Sequence, residues 1–140
     1  MSLEGIREAI TALAKQVADI KAVYDYPVTE LGRDLPALTI IYDGFEQRPG
    51  PALSTDVDWI FEMALYIPFD GRSAKTPSRA MEELAEAVLA KFRANPGLLS
   101  TCWIHTIQSG QPVLEVPDEP TGKPRWVGHT FRLLARNEET

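Results

Sequence analysis

Cysteine is almost absent from this chain: Cys102 is the only one in 140 residues. No intrachain disulfide can form and no thiolate cluster can hold zinc, which favours a reducing compartment. Histidine is nearly as scarce. His105 and His129 are the only two, and they fit no metal-ligand spacing such as His-Glu-x-x-His. Gly-x-Ser-x-Gly elbows, Walker loops and dinucleotide fingerprints are missing. No run approaches the roughly 20 consecutive apolar residues that span a bilayer. The acidic start, Met1-Ser2-Leu3-Glu4, is unlike the basic opening of a signal peptide. Positive charge is in deficit as well: 14 Lys and Arg against 20 Asp and Glu give a net charge of −6. A nucleic-acid-binding protein needs a basic footprint to displace counterions, and this balance repels DNA. The expectation is a soluble intracellular domain with no membrane segment, metal, cofactor or catalytic site, and hence not an enzyme.

What is present suits one globular domain over residues 1–140. Hydrophobic residues make up 44% and charged residues 24%, near the globular average. A chain of this length buries about 68–70% of its unfolded surface, enough for a core without disulfides. Ile6, Ile10, Leu13, Val17 and Ile20 recur at spacings of three and four. They predict a helix over Leu3–Ile20, with Ser2 as its N-cap. A short extended stretch, Ala22–Tyr26, ends at Pro27, and a strand is expected over Pro36–Glu46 from the alternation around Leu38, Ile40 and Tyr42. Gln47–Ser54, with Pro49-Gly50-Pro51 inside it, reads as a loop.

The strongest strand signal follows. Val57, Trp59, Phe61, Met63, Leu65 and Ile67 take every odd position, so one face is buried and the other largely wet. At about 3.3 Å per residue this strand runs on the order of 35 Å, against a usual five or six residues. Paired with the preceding strand, it makes an extended hairpin. A second helix is expected from near Pro77, with Thr76 capping it and Met81, Leu84, Ala85, Val88, Leu89 and Phe92 on its apolar face. Asn95-Pro96-Gly97 stops it.

A strand over Thr101–Gln108, a Pro-rich mobile arm over about 109–124, with Val113-Leu114-Glu115-Val116 inside it as a short strand or a docking segment, a last strand over Trp126–Arg136 and a polar tail over 137–140 complete the order. The fold class is α+β: a mostly antiparallel sheet with two helices packed on one face, plus the hairpin and the long Pro-rich loop.

Cys102 and His105, three apart on a strand, point to opposite faces, so the thiol is expected to be buried and inert. His105 and His129 read as locally satisfied strand residues, with a metal pair or acid–base dyad as the alternative. Trp59, Trp103 and Trp126 read as core or interface anchors. The candidate partner-binding residues are Phe45, Arg48 and Trp59 on the hairpin and Val113, Leu114, Glu115 and Val116 in the arm, since hairpins and arms suit strand addition and subunit clasping.

Four phrases carry a family likeness: Val23-Tyr24-Asp25-Tyr26-Pro27 after the first helix, Leu35-Pro36-Ala37-Leu38-Thr39-Ile40, Trp59 to Ile67, and Trp126-Val127-Gly128-His129-Thr130-Phe131-Arg132-Leu133. In element order, length and hydrophobic rhythm the chain resembles the tail-terminator (tail-completion, minor tail) proteins of long-tailed bacteriophages. The resemblance implies a homo-oligomeric ring, most often a hexamer, that caps the tail tube and joins it to the neck. Its partners would be the tail tube protein and a head-closure or connector protein, with DNA only passing non-specifically through the channel. The location would be the virion tail, after assembly in the host cytoplasm. Another head–tail connector subunit is the nearest alternative. A small cytosolic enzyme or ligand-binding domain using His105 or His129 is the alternative from a different class.

Overall fold

The computed structural model describes residues 3–26, 35–49, 55–68, 75–99, 102, 104–114 and 126–139, without the side chains of 48–49, 55–56, 75–78, 104, 113–114, 126 and 137–139. Helix α1 covers Leu3–Lys15, and Ile6, Ile10 and Leu13 of its apolar stripe are fully buried. It stops at Lys15 rather than at the expected Ile20. The closing amides shift to shorter loops, Gln16 N–H to the Leu13 carbonyl and Val17 N–H to that of Ala14. Asp19 then adopts φ 72°, a left-handed conformation that ends helices and that a short polar side chain tolerates. Val17 is buried all the same. The hydrophobic pattern outlasts the helical backbone.

Strand β1 (Ala22–Tyr24) pairs in parallel with the start of β2 (Ala37–Pro49). Strands β2 and β3 (Thr55–Pro68) form the long antiparallel hairpin, from Ala37 opposite Tyr66 to Pro49 opposite Thr55. Its ladder is longer than expected: Gln47, Arg48 and Pro49, read as loop, pair with Val57, Asp56 and Thr55. Proline is tolerated there because the last rung of a strand has no further ladder bond to donate. Helix α2 runs Lys75–Arg93, so Thr76 lies inside it rather than capping it. A proline in the first turn does no harm, since those N–H groups have no intrahelical acceptor.

Strands β4 (Ile104–Leu114) and β5 (Trp126–Glu139) complete a five-stranded sheet of order β1-β2-β3-β5-β4, in which only the β1–β2 pair is parallel. Two expectations are corrected here. Residues 109–114 are not part of a mobile arm: β4 continues through them, and Val113 and Leu114 lie opposite Gly128 and Val127. A register shift between Ser109 and Pro112 absorbs the irregular residues. At Gly110 a Cβ would come within 2.9 Å of the Thr130 carbonyl oxygen, so only glycine permits this approach. The polar tail is likewise ordered as strand, with Asn137–Glu139 pairing Val57–Thr55. The rest of the expected arm, with Glu115 and Val116, lies outside the described residues.

Both helices pack on one face of the sheet, α1 over β1 and β2, α2 over β3, β4 and β5, and they touch each other. The core joins their stripes to Leu38, Ile40, Phe61, Met63, Leu65, Phe131 and Leu133. The fold is the expected α+β arrangement. On the opposite face Glu62 is exposed as anticipated, but Asp58 and Ile60 are buried. No helix among the described residues is long and apolar enough to cross a membrane.

Candidate functional site

The far half of the hairpin carries a continuous line of aromatic rings. Phe61, fully buried, meets Tyr42 at 5.9 Å between ring centroids; Tyr42 meets Trp59 at 6.3 Å; Trp59 meets Phe45 at 5.5 Å. The line starts in the core and ends at Phe45, which is 52% exposed. A register shift between Tyr42 and Phe45 builds it. On a regular strand, residues three apart face opposite ways. The shift at Asp43-Gly44 resets the phase, so Phe45 sits opposite Trp59 as Tyr42 sits opposite Phe61. Gly44 takes φ 100° there, a conformation that L side chains rarely adopt. Trp59 packs on the core, yet its buried indole Nε1–H finds no acceptor among the described residues.

This arrangement brings two of the candidate residues, Phe45 and Trp59, into contact. Arg48 extends the same strand opposite Asp56, but its side chain is not described. Val113 and Leu114 sit in β4, at the other end of the sheet, so the candidates fall on two separate surfaces. Sequence reasoning missed Tyr42 as the link between core and surface. A glycine between Tyr42 and Phe45 was the available signal for a bulge.

The sheet has open edges. β1 covers only Ala37, Leu38 and Thr39 of β2, so no described strand lies against the outer edge of β2, the side away from β3, from Ile40 to Pro49. β4 is the terminal strand on the other side. Of the exposed large hydrophobic residues, Tyr26, Ile41 and Phe45 flank the β1–β2 edge, while Leu99 precedes β4.

The histidines are held locally. His105 is buried, and its Nδ1–H donates to the Pro96 carbonyl at 2.9 Å, the same oxygen that takes its backbone N–H. Burial pulls its pKa below the ordinary value, against an upward pull from the Pro96 and Phe92 carbonyls. The ring ties β4 to the end of α2. His129 stacks edge-on against Phe131, and its Nε2 bonds the Ser109 hydroxyl across the β4–β5 pair. Burial lowers its pKa too, which keeps the ring neutral and able to accept the hydroxyl proton. Among the described residues no carboxylate bonds the other ring nitrogen, and none group into a metal site.

Cys102 is buried in a bend before β4 rather than on the strand itself. The opposite-faces argument therefore does not apply to it. Burial alone pushes its thiol up to about 11, which makes it inert. A cavity of about 600 Å³ opens between Lys21, Pro36, Ile67 and the Glu83–Leu84 turn of α2, and neither histidine lines it.

Comparison with protein-family models and with curated proteins found no match.

Proposed function

We propose that this chain is a structural assembly subunit that works by joining other protein chains. In its specific form, it is a tail-terminator subunit of a long-tailed phage, closing with sister copies into a ring between tail tube and neck connector. One observation carries the assembly reading: the Phe61–Tyr42–Trp59–Phe45 line, which conducts the core out to an exposed aromatic on an unpaired strand edge. A half-exposed phenylalanine braced by tryptophan is the kind of rigid anchor that dominates protein interfaces. The acidic balance of the chain suits a channel through which DNA slides without adhering. The phage assignment itself rests on the resemblance in element order and hydrophobic rhythm.

Light scattering and electron microscopy of the purified chain test this reading. The expected result is a ring with a mass several times 15.6 kDa, alone or on tail tubes, and arrest of tube growth when it is added to tube protein. A monomer that neither binds nor arrests tubes would sink the proposal.

The Ser109–His129 bond favours a second reading, a small hydrolytic domain. A fluorophosphonate probe that labels wild-type chain but not Ser109→Ala would support it over assembly.

A further inference from the structure

Strand β4 is unusual for the end of a sheet. Its eleven residues, Ile104–Leu114, include no Asp, Glu, Lys or Arg. Exposed edge strands are normally blunted by charges, above all lysine, because a bare row of N–H and C=O groups invites another strand. Among the described residues the beginning of this edge is capped, and the register shift and Pro112 interrupt its far part. The Pro96 carbonyl takes the outward His105 N–H at 2.9 Å. Alternation then turns the main-chain groups of Ile107 and Ser109 to the same open side. A cleft of about 220 Å³, lined by Arg93, Pro96, His105, Thr106 and Ile107, follows this stretch.

The other end of the sheet offers the counterpart. From Ile40 to Pro49 the outer edge of β2 is unpaired among the described strands, a run close in length to β4. Exposed Asp43 and Glu46 lie along it, with Ile41 and Phe45 exposed on its two faces. The β4 edge contributes exposed Arg93 and a strand without charges. Asp43, 3.6 Å from Arg132, and Glu46 outnumber Arg48 on this run, so pairing β2 with another β2 leaves an excess of acid. Pairing β2 with β4 brings the acids towards Arg93.

Strand direction also fits. β2 and β5 run one way, β3 and β4 the other. A sister sheet placed side by side in the same orientation therefore sets its β2 antiparallel to β4, which continues the existing alternation. The two edges lie at opposite ends of one sheet, so the contact is head-to-tail, and repeating it closes a ring when the rotation between neighbours divides a full turn.

We infer that β4 of one copy pairs antiparallel with residues 40–49 of β2 in the next, joining the sheets of adjacent subunits into one. This deepens the assembly reading and rests on it for the presence of sister copies.

Cysteine cross-linking in the full chain tests it. Thr106→Cys and Gln108→Cys place thiols on the exposed face of β4, and Ile41→Cys and Glu46→Cys place them on the corresponding face of β2. Antiparallel neighbours come within the roughly 4.4–6.8 Å Cα separation that a disulfide spans. Native Cys102 is buried and does not compete.

The expected result, under mild oxidation, is that a β4 variant mixed with a β2 variant gives covalent dimers in at least one of the four pairings. Either variant alone gives none, and a chain carrying both thiols gives a ladder of multimers. Dimers from Thr106→Cys or Gln108→Cys alone would mean symmetric β4–β4 pairing and overturn the inference. An assembly seen by light scattering, with no cross-link in any pairing, would overturn the edge contact but leave the assembly reading standing. A monomer that binds no tube would remove both.

Discussion

Arg136 grips Asp58 across the β3–β5 pair, with Nε 2.9 Å from Oδ1 and Nη2 3.3 Å from Oδ2. The two residues are direct cross-strand partners, on the sheet face away from the helices. Asp58 is only 5% exposed, while the arginine side chain is 37% exposed. A two-point bond of this kind fixes register as well as charge.

Removing the arginine takes a two-point partner away from a buried carboxylate. Arg136→Ala is expected to cost about 2–3 kcal/mol, towards the low side of buried pairs because the arginine itself is partly solvated. Urea unfolding checks it, and a change below about 0.5 kcal/mol would mean that the pair contributes little.

The two bulge glycines are predicted to fail for different reasons. Gly44 has open space around a would-be Cβ but a φ of 100°, so Gly44→Ala should cost about 1–2 kcal/mol in backbone strain alone. Gly110 has a φ outside the left-handed region, but an added Cβ meets Thr130, including its main chain. Gly110→Ala is therefore expected to cost about 1–3 kcal/mol through overpacking. Removing the hydroxyl with Thr130→Ala should relieve only part of it, because the carbonyl oxygen remains. Denaturant midpoints of the three variants separate the two mechanisms.

The thiol should be silent in the native state. With Cys102 buried and its pKa pushed up to about 11, Ellman's reagent at pH 8 is expected to react slowly with folded chain and fully in denaturant. Rapid native labelling would show that the segment around it opens readily.

His105 gives the fold a pH dependence with a definite sign. Burial, partly offset by the Pro96 and Phe92 carbonyls, lowers its folded pKa below 6.5. The unfolded chain then binds the proton more tightly than the native one. The contribution of His105 is thus present in full above about pH 6.5 and falls as pH drops from there through the folded pKa. Melting temperatures between pH 8 and pH 5 should fall less steeply in His105→Gln than in the parent. Identical slopes would mean that the ring is solvated in the folded state.

Local and periodic features of the chain were legible in its residues. The odd-position run Val57–Ile67 announced β3 and its buried face, and Ile6, Ile10 and Leu13 announced α1. Such signals survive because side-chain direction repeats every 2 residues in a strand and every 3.6 in a helix, whatever lies opposite. Phe45 could be named as a candidate from its place near the end of the long hairpin.

The tertiary structure decided where patterns stop and which surfaces meet. Gly110, Gln111 and Pro112 read as loop residues, yet the neighbouring β5 supplies a ladder, and the Thr130 hydroxyl accepts the Gln111 N–H at 3.1 Å, so β4 runs through them. Tyr42 joins Phe45 only because the bulge at Asp43-Gly44 changes the phase of the strand. Asp58 finds Arg136 from a distant part of the chain, and the open edges exist only once five strands have taken an order. Periodicity is a property of neighbours along the chain, whereas register, strand order and unpaired edges arise from contacts between distant segments. No single stretch of sequence contains them.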